Sequence, residues 1–136
     1  MMMRWLMAIV VVADVLLVTV VLQTSNVVLA DDAWERIGPE GGFVWVLGIS
    51  PGFEEDQTVF AGTDGGGVFR SIDGGETWQK QDKGLTTRIV PTLVVSPAFQ
   101  RDSTVFAGSP VGVFRSIDGG DTWSQINEGL ENPKVM

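Results

Sequence analysis

The chain has no cysteine, no histidine and no tyrosine, and each absence removes a class of chemistry. Without cysteine there is neither a disulfide framework nor a lipid-modified cysteine anchor, although no compartment follows from that alone. Without histidine there is no imidazole base and no Ser-His or Cys-His nucleophile pair, and a zinc site would lack its usual nitrogen and sulfur ligands. Catalysis would have to rest on carboxylates, Lys or Arg, and no such constellation stands out, so the chain is not expected to be an enzyme. Positive charge is scarce too, with 9 Lys and Arg against 17 Asp and Glu and a formal net charge of −8. Phosphate binding rests on clustered cations that release counterions. Lys80 and Lys83 are too sparse for that, which argues against a nucleic-acid partner.

What the sequence does have is glycine, 17 in 136 residues, without a collagen period and beside short runs of Val, Ile, Phe and Thr. That composition predicts many tight turns between strands, hence an all-β chain. The length allows one small domain at most.

The N-terminal stretch follows a different pattern. Arg4 precedes an apolar run from Trp5 to Leu22, broken only by Asp14 and Thr19, and Val28-Leu29-Ala30 leads into Asp31-Asp32. A positive start, an apolar middle and small residues before a cut after Ala30 are the order of a secretory signal. Residues 1–30 are therefore expected to be a signal peptide or, as the competing reading, a retained membrane anchor. About 18 apolar residues barely span a bilayer, and an unpaired carboxylate such as Asp14 at its centre would cost roughly 2.5–3.5 kcal/mol on insertion scales. Either reading places the remainder outside the cytoplasm, as a secreted, periplasmic or cell-surface protein whose only membrane contact is this segment.

Beyond Ala30 the chain repeats itself. Val44-Trp45-Val46-Leu47-Gly48-Ile49-Ser50-Pro51 aligns with Val90-Pro91-Thr92-Leu93-Val94-Val95-Ser96-Pro97, Thr58 to Gly62 with Thr104 to Gly108, and Gly67 to Arg70 with Gly112 to Arg115. Each segment is short, rich in β-branched and aromatic residues and bounded by Pro, Gly or Asp, as strands of a meander are. A fourth strand is expected at Thr77 to Gln81 and at Thr122 to Ile126, and Ala33 to Ile37 looks like the same strand of a repeat whose other strands are absent. The first strand of each repeat is the most continuously apolar, which suits a buried inner position. In the third strand Arg70 and Arg115 read as a solvated face or as cover for an aromatic, with a ligand contact as the alternative. The offset between copies is about 45 residues, in the range of propeller blades. The expected divisions are residues 31–42 as an outer strand and linker, 43–87 as blade 1, 88–130 as blade 2, and 131–136 as the start of a third blade.

Between the third and fourth strands lies the most distinctive feature, Ser71-Ile72-Asp73-Gly74-Gly75-Glu76-Thr77-Trp78, which returns as Ser116-Ile117-Asp118-Gly119-Gly120-Asp121-Thr122-Trp123. Asp-Gly-Gly between two strands is a hairpin signal, since glycine takes positive φ freely and the carboxylate can accept N–H groups of the turn. The hydroxyls of Ser71, Thr77, Ser116 and Thr122 can satisfy further backbone groups. Gly75 and Gly120 allow the tight path, and Trp78 and Trp123 supply a large apolar area to fix the turn. These ten residues are read as structural. The pattern Ser-x-Asp-x-Gly-x-Thr-Trp resembles the Asp box of bacterial neuraminidase-type (BNR) repeats, known from sialidases, xyloglucanases, sortilin-type receptors and the photosystem II assembly factor, all β-propellers. The resemblance covers residues 34 to 130 or so and implies two four-stranded antiparallel blades of an incomplete Asp-box β-propeller. It implies no activity, because those families share the blade and not the chemistry. Sialidases carry a tyrosine nucleophile, and this chain has none.

Other candidate sites read as structure. A calcium loop at the boxes fails on spacing, since only Asp73 with Glu76, or Asp118 with Asp121, is present. Glu54-Glu55-Asp56 is the densest acidic group, and a glycosidase needs two placed acids. Its counterpart Phe99-Gln100-Arg101-Asp102 keeps only one acid, so both stretches read as solvated turns. Asp64-Gly65-Gly66-Gly67 lacks the Lys and helix of a phosphate loop and reads as a variable hairpin. No cofactor and no metal are expected.

Propellers usually close with ~4–8 blades, more than two repeats supply. Three readings follow. The chain is a non-catalytic exported propeller-repeat protein or fragment that binds an unidentified protein or glycan. Alternatively, three or four copies complete a ring as a homo-oligomer, with Trp34 to Ile37 lending an outer strand to a neighbour, or the chain is a remnant or subunit of a carbohydrate-active enzyme.

Overall fold

The hydroxyl-bearing residues at the strand ends set where each strand can start. Ser50 Oγ donates to Asp56 Oδ2 at 2.6 Å and accepts the N–H of Gly52, while Asp56 Oδ1 accepts the N–H of Thr58 at 2.9 Å. This closes a single helical turn, α1 (Phe53–Asp56), which ends on Gln57 at φ 53°. The second copy is the same device. Ser96 Oγ donates to Asp102 Oδ2 at 2.8 Å, Asp102 Oδ1 accepts the N–H of Thr104 at 3.0 Å, and α2 (Phe99–Asp102) ends on Ser103 at φ 50°. Left-handed conformations at two non-glycine positions are uncommon, and the side-chain bonds to the flanking residues hold them. Asp56 and Asp102, expected as members of solvated turns, are thus the acceptors that lock each strand-to-strand connection.

The computed structural model describes residues 35–131, so the expected export segment, Trp34 and residues 132–136 lie outside it. Among the described residues, no helix is long and apolar enough to cross a membrane. The strands are β1 (Phe43–Ile49), β2 (Val59–Asp64), β3 (Val68–Ser71) and β4 (Gln79–Lys80), then β5 (Thr92–Val95), β6 (Val105–Ser109), β7 (Gly112–Ser116) and β8 (Ser124–Gln125). They form two four-stranded antiparallel sheets, β1-β2-β3-β4 and β5-β6-β7-β8, each a simple meander. The chain is all-β, as the composition implies. The registers repeat as well: Ala61 faces Leu47 and Phe69 across the first sheet, and Ala107 faces Leu93 and Phe114 across the second.

Two expectations need correction. The fourth strands begin not at the tryptophans but at Gln79 and Ser124, because Trp78 and Trp123 still belong to the turn geometry described below. Of the outer strand expected over Ala33 to Ile37, residues 35–37 are described and form no strand. A strand needs a hydrogen-bonding neighbour, and among the described residues none pairs with them.

The sheets pack face to face through one core. Phe60 and Val68 of the first sheet meet Leu93, Phe99, Val105, Ala107, Phe114 and Trp123 of the second, with Val90 of the connection between them. Phe60 and Phe99 make an edge-to-face pair with centroids 5.9 Å apart, a favoured aromatic geometry. The connecting segment is pinned to the first sheet, the N–H of Val90 donating to Thr63 O at 2.9 Å. Close approach depends on Gly62, where an added Cβ would lie 2.4 Å from Val90 O.

β1 is not buried as its apolar run suggests. It is an edge strand with a register shift between Val44 and Val46. Val46 packs against the core and Gly48 lies beneath Val95. Leu47 and Ile49, by contrast, are more than half exposed. One face of this strand meets the second sheet, and no second sheet covers the other among the described residues.

Candidate functional site

Each repeated turn is a closed hydrogen-bond cycle. In the first, Ser71 Oγ donates to Asp73 Oδ1 at 2.7 Å and accepts the N–H of Gly75 at 2.8 Å, while Asp73 accepts the N–H of Thr77 on Oδ1 at 2.9 Å and its hydroxyl on Oδ2 at 2.6 Å. Gly74 and Gly75 sit at φ 76° and 102°, values that only glycine adopts without a Cβ penalty. The second turn reproduces the cycle with Ser116, Asp118, Gly120 and Thr122, at 2.7 Å for Ser116 Oγ to Asp118 Oδ1 and 2.8 Å for Gly120 N to Ser116 Oγ. Each turn is also tied back to its own sheet, with the N–H of Gly74 on Gln57 O and that of Gly119 on Ser103 O. The left-handed Gln57 and Ser103 therefore turn their carbonyls toward the repeated glycines.

The tryptophans leave their turns and reach the preceding repeat. Trp123, only 4% exposed, donates its indole N–H to Gln81 O at 3.1 Å, and its backbone N–H goes to Lys83 O at 2.9 Å. Trp78 donates in the same way to Ile37 O at 2.6 Å. Gln81 follows Trp78 by three positions as Ile37 follows Trp34, so Ile37 occupies the place of Gln81 one repeat earlier although it forms no strand. The arginine of β3 completes the seam. Arg70 Nη1 donates to Gly119 O at 2.7 Å and pairs with Asp121 Oδ1 at 3.0 Å. Arg70 accordingly forms a bond between the two sheets rather than lying on a freely solvated face.

The electrostatics follow from these acceptors. Bonds from the hydroxyl and N–H of Thr77 and from Ser71 hold the Asp73 carboxyl at about 2, below its ordinary 3.8. Burial raises Asp118, but the donors on Thr122 and Ser116 outweigh it and leave that carboxyl lowered as well. Asp102 is lowered chiefly by Ser96 and the N–H of Thr104. A carboxylate whose folded value is depressed stabilises the fold above its unfolded pKa, near ~3.9, and that contribution is lost as the pH falls through the folded value. Melting followed by circular dichroism should therefore be steady above about pH 5 and fall between ~4 and ~2. The double variant Asp73→Asn, Asp118→Asn should show a shallower fall across that window. An unchanged slope would remove these two carboxylates from the account.

Among the described residues, no group of three or more His, Cys, Asp or Glu side chains is arranged to hold a metal. The glycine loop after β2 is engaged. The N–H groups of Gly65 and Gly67 donate to Arg88 O and that of Gly66 to Thr63 Oγ1, so the donors that could cradle a phosphate are already taken. That loop and residues 82–89 border an open cleft of about 590 Å³. A second, apolar groove of about 340 Å³ lies on the outer face of the first sheet, between Leu47, Ile49, Phe53, Val59 and Trp78.

Two consecutive four-stranded meanders, packed face to face and joined at a repeated turn, define the class: a pair of blades of propeller type. Among solved structures, the chain is similar to an ancestral GH74 enzyme, at 25% identity and a TM-score of 0.57 over 70% of this chain. GH74 enzymes are a β-propeller family. The chain spans 12% of that enzyme. No family model and no curated protein matches the chain.

Proposed function

We propose that this chain is a non-catalytic, exported propeller-repeat module that binds a protein or glycan, with its two turns of the Asp-box type serving as structural clasps. One observation carries the reading. The aspartates that recur identically in both repeats, Asp56 and Asp102, Asp73 and Asp118, all accept hydrogen bonds from the fold's own hydroxyl and N–H groups. What recurs is therefore employed in holding the blade, and a binding surface would lie on the parts that vary, such as the cleft beside Arg88 and Thr87.

A second reading is favoured by the likeness to the ancestral GH74 enzyme: the chain is part of a carbohydrate-active, glycoside hydrolase-like propeller. One experiment separates the two. Incubation of the full chain with a broad panel of polysaccharides, read both by pull-down and by reducing-end release, should give retention on a glycan or on nothing, without turnover. Release of reducing ends that survives repurification would overturn the non-catalytic reading. Export is tested in the same preparation, because secretion with cleavage should yield a mature N-terminus at Asp31.

A further inference from the structure

The seam inside the chain is asymmetric, and each of its halves occurs a second time with less cover among the described residues. On the first sheet the seam uses Phe60 and Val68, both fully buried, with Arg70. On the second sheet it uses Leu93, Phe99, Val105 and Trp123, all buried. The repeat places Phe106, Val113 and Arg115 on the second sheet where Phe60, Val68 and Arg70 stand on the first. There Phe106 and Val113 are half-buried and Arg115 is exposed. On the first sheet the repeat places Leu47, Phe53, Val59 and Trp78 where the second has Leu93, Phe99, Val105 and Trp123, and these line the open apolar groove. Leu47 is 55% exposed against 7% for Leu93.

Charge is complementary in the same register. Arg70 is held by Gly119 O and Asp121. The corresponding acceptors of the first turn are Gly74 O and Glu76, and Glu76 is exposed and takes part in no ion pair among the described residues. Arg115, the corresponding donor, is also without an ion pair there.

We infer that these two faces dock onto each other between copies: the second sheet of one chain covers the groove on the first sheet of the next, with its Arg115 on Gly74 O and Glu76. The occupant is a second copy because the chain itself displays the matching surface, already packed once at the internal seam; Ile37, Gly38 and Pro39 already border the groove, so the incoming sheet meets Leu47, Phe53 and Val59. The contact is heterologous, so repeated addition closes a ring or extends a filament according to the rotation per step; a ring of ~4–8 blades corresponds to ~2–4 copies. The docking uses sheet faces and not an exchanged strand, since Ile37 O is already engaged by Trp78 of its own chain. Assembly does not depend on glycan or protein binding, and its failure would leave the binding reading intact.

The test is sedimentation velocity of the full chain across a dilution series, beside Arg115→Glu, Leu47→Asp and the charge swap Arg115→Glu with Glu76→Arg. Leu47 and Arg115 are exposed within one chain, so both single variants should keep the parent circular dichroism spectrum. The parent should sediment as a multiple of the chain mass, both single variants should shift to the single-chain mass, and the swap should recover the larger species. A parent that stays monomeric throughout would overturn the inference. So would an oligomer that neither single variant weakens, as expected if residues 1–30 alone hold the copies together.

Discussion

Replacing Trp123 by alanine should lower the unfolding free energy by about 3–5 kcal/mol, the usual range for a buried aromatic truncated in a core. The indole fills the centre of the seam, in one cluster with Phe60, Val68 and Phe114, and its N–H answers the carbonyl of Gln81. Truncation would open a cavity between the sheets and leave that buried carbonyl without its donor, so both losses act in the same direction. The same change at Trp78 makes the informative control. Trp78 occupies the same place in the first turn and donates to Ile37 O, but it is only half-buried, and no preceding sheet covers it among the described residues. Its loss should cost about 1–2 kcal/mol, in proportion to the smaller apolar area removed. Urea titrations of the two variants should thus separate clearly in midpoint. Equal destabilisation would mean that the tryptophans act within their turns and not between sheets.

The second large effect is expected at Gly62. An alanine Cβ there would lie 2.4 Å from Val90 O, 2.8 Å from Val46 Cγ1 and 3.1 Å from Val90 Cγ1. The nearest atom is backbone, and it belongs to a segment whose own N–H is bonded to Thr63 O. Relief requires the connection and the second sheet to move outward together. Overpacking of this kind costs typically ~1–3 kcal/mol, and the rigid neighbour places Gly62→Ala at the upper end. Gly48→Ala should be milder, because its nearest obstacle is Val95 Cγ2 at 3.0 Å, the tip of a side chain. Thermal melts of the pair check the order, and a melting temperature for Gly62→Ala at or above that of Gly48→Ala would contradict the close approach of the sheets.

Much of the architecture is legible in the chain because it is written twice. Alignment of Thr58 to Gly62 with Thr104 to Gly108 places the second strands, and the glycines after Asp73 and Asp118 mark the hairpins. The turn residues lie within eight positions of one another, so their mutual bonds are local and follow from side-chain type and spacing. Ser50 and Asp56 were equally repeated, as Ser96 and Asp102, but their bond spans a turn whose left-handed Gln57 and Ser103 are not residues that announce one. Arg70 shows a different limit. Its partners Gly119 and Asp121 are about 50 residues away, and which of two sheet faces meets the next repeat depends on packing that periodicity alone does not specify. β1 shows the reverse case. Its apolar run correctly marks a strand built for burial, yet half of that burial needs a neighbouring sheet, and Leu47 and Ile49 remain open without one.

The central claim is that the repeated turn reaches out of its own sheet to fasten the sheet before it. Hydrogen exchange of the Trp123 indole N–H, followed by NMR, tests this most directly. If that N–H is bonded to Gln81 O within the seam, it should exchange on the timescale of global unfolding, together with the amides of Phe60 and Ala107. Exchange at the rate of a solvent-exposed indole, with those amides still protected, would contradict it.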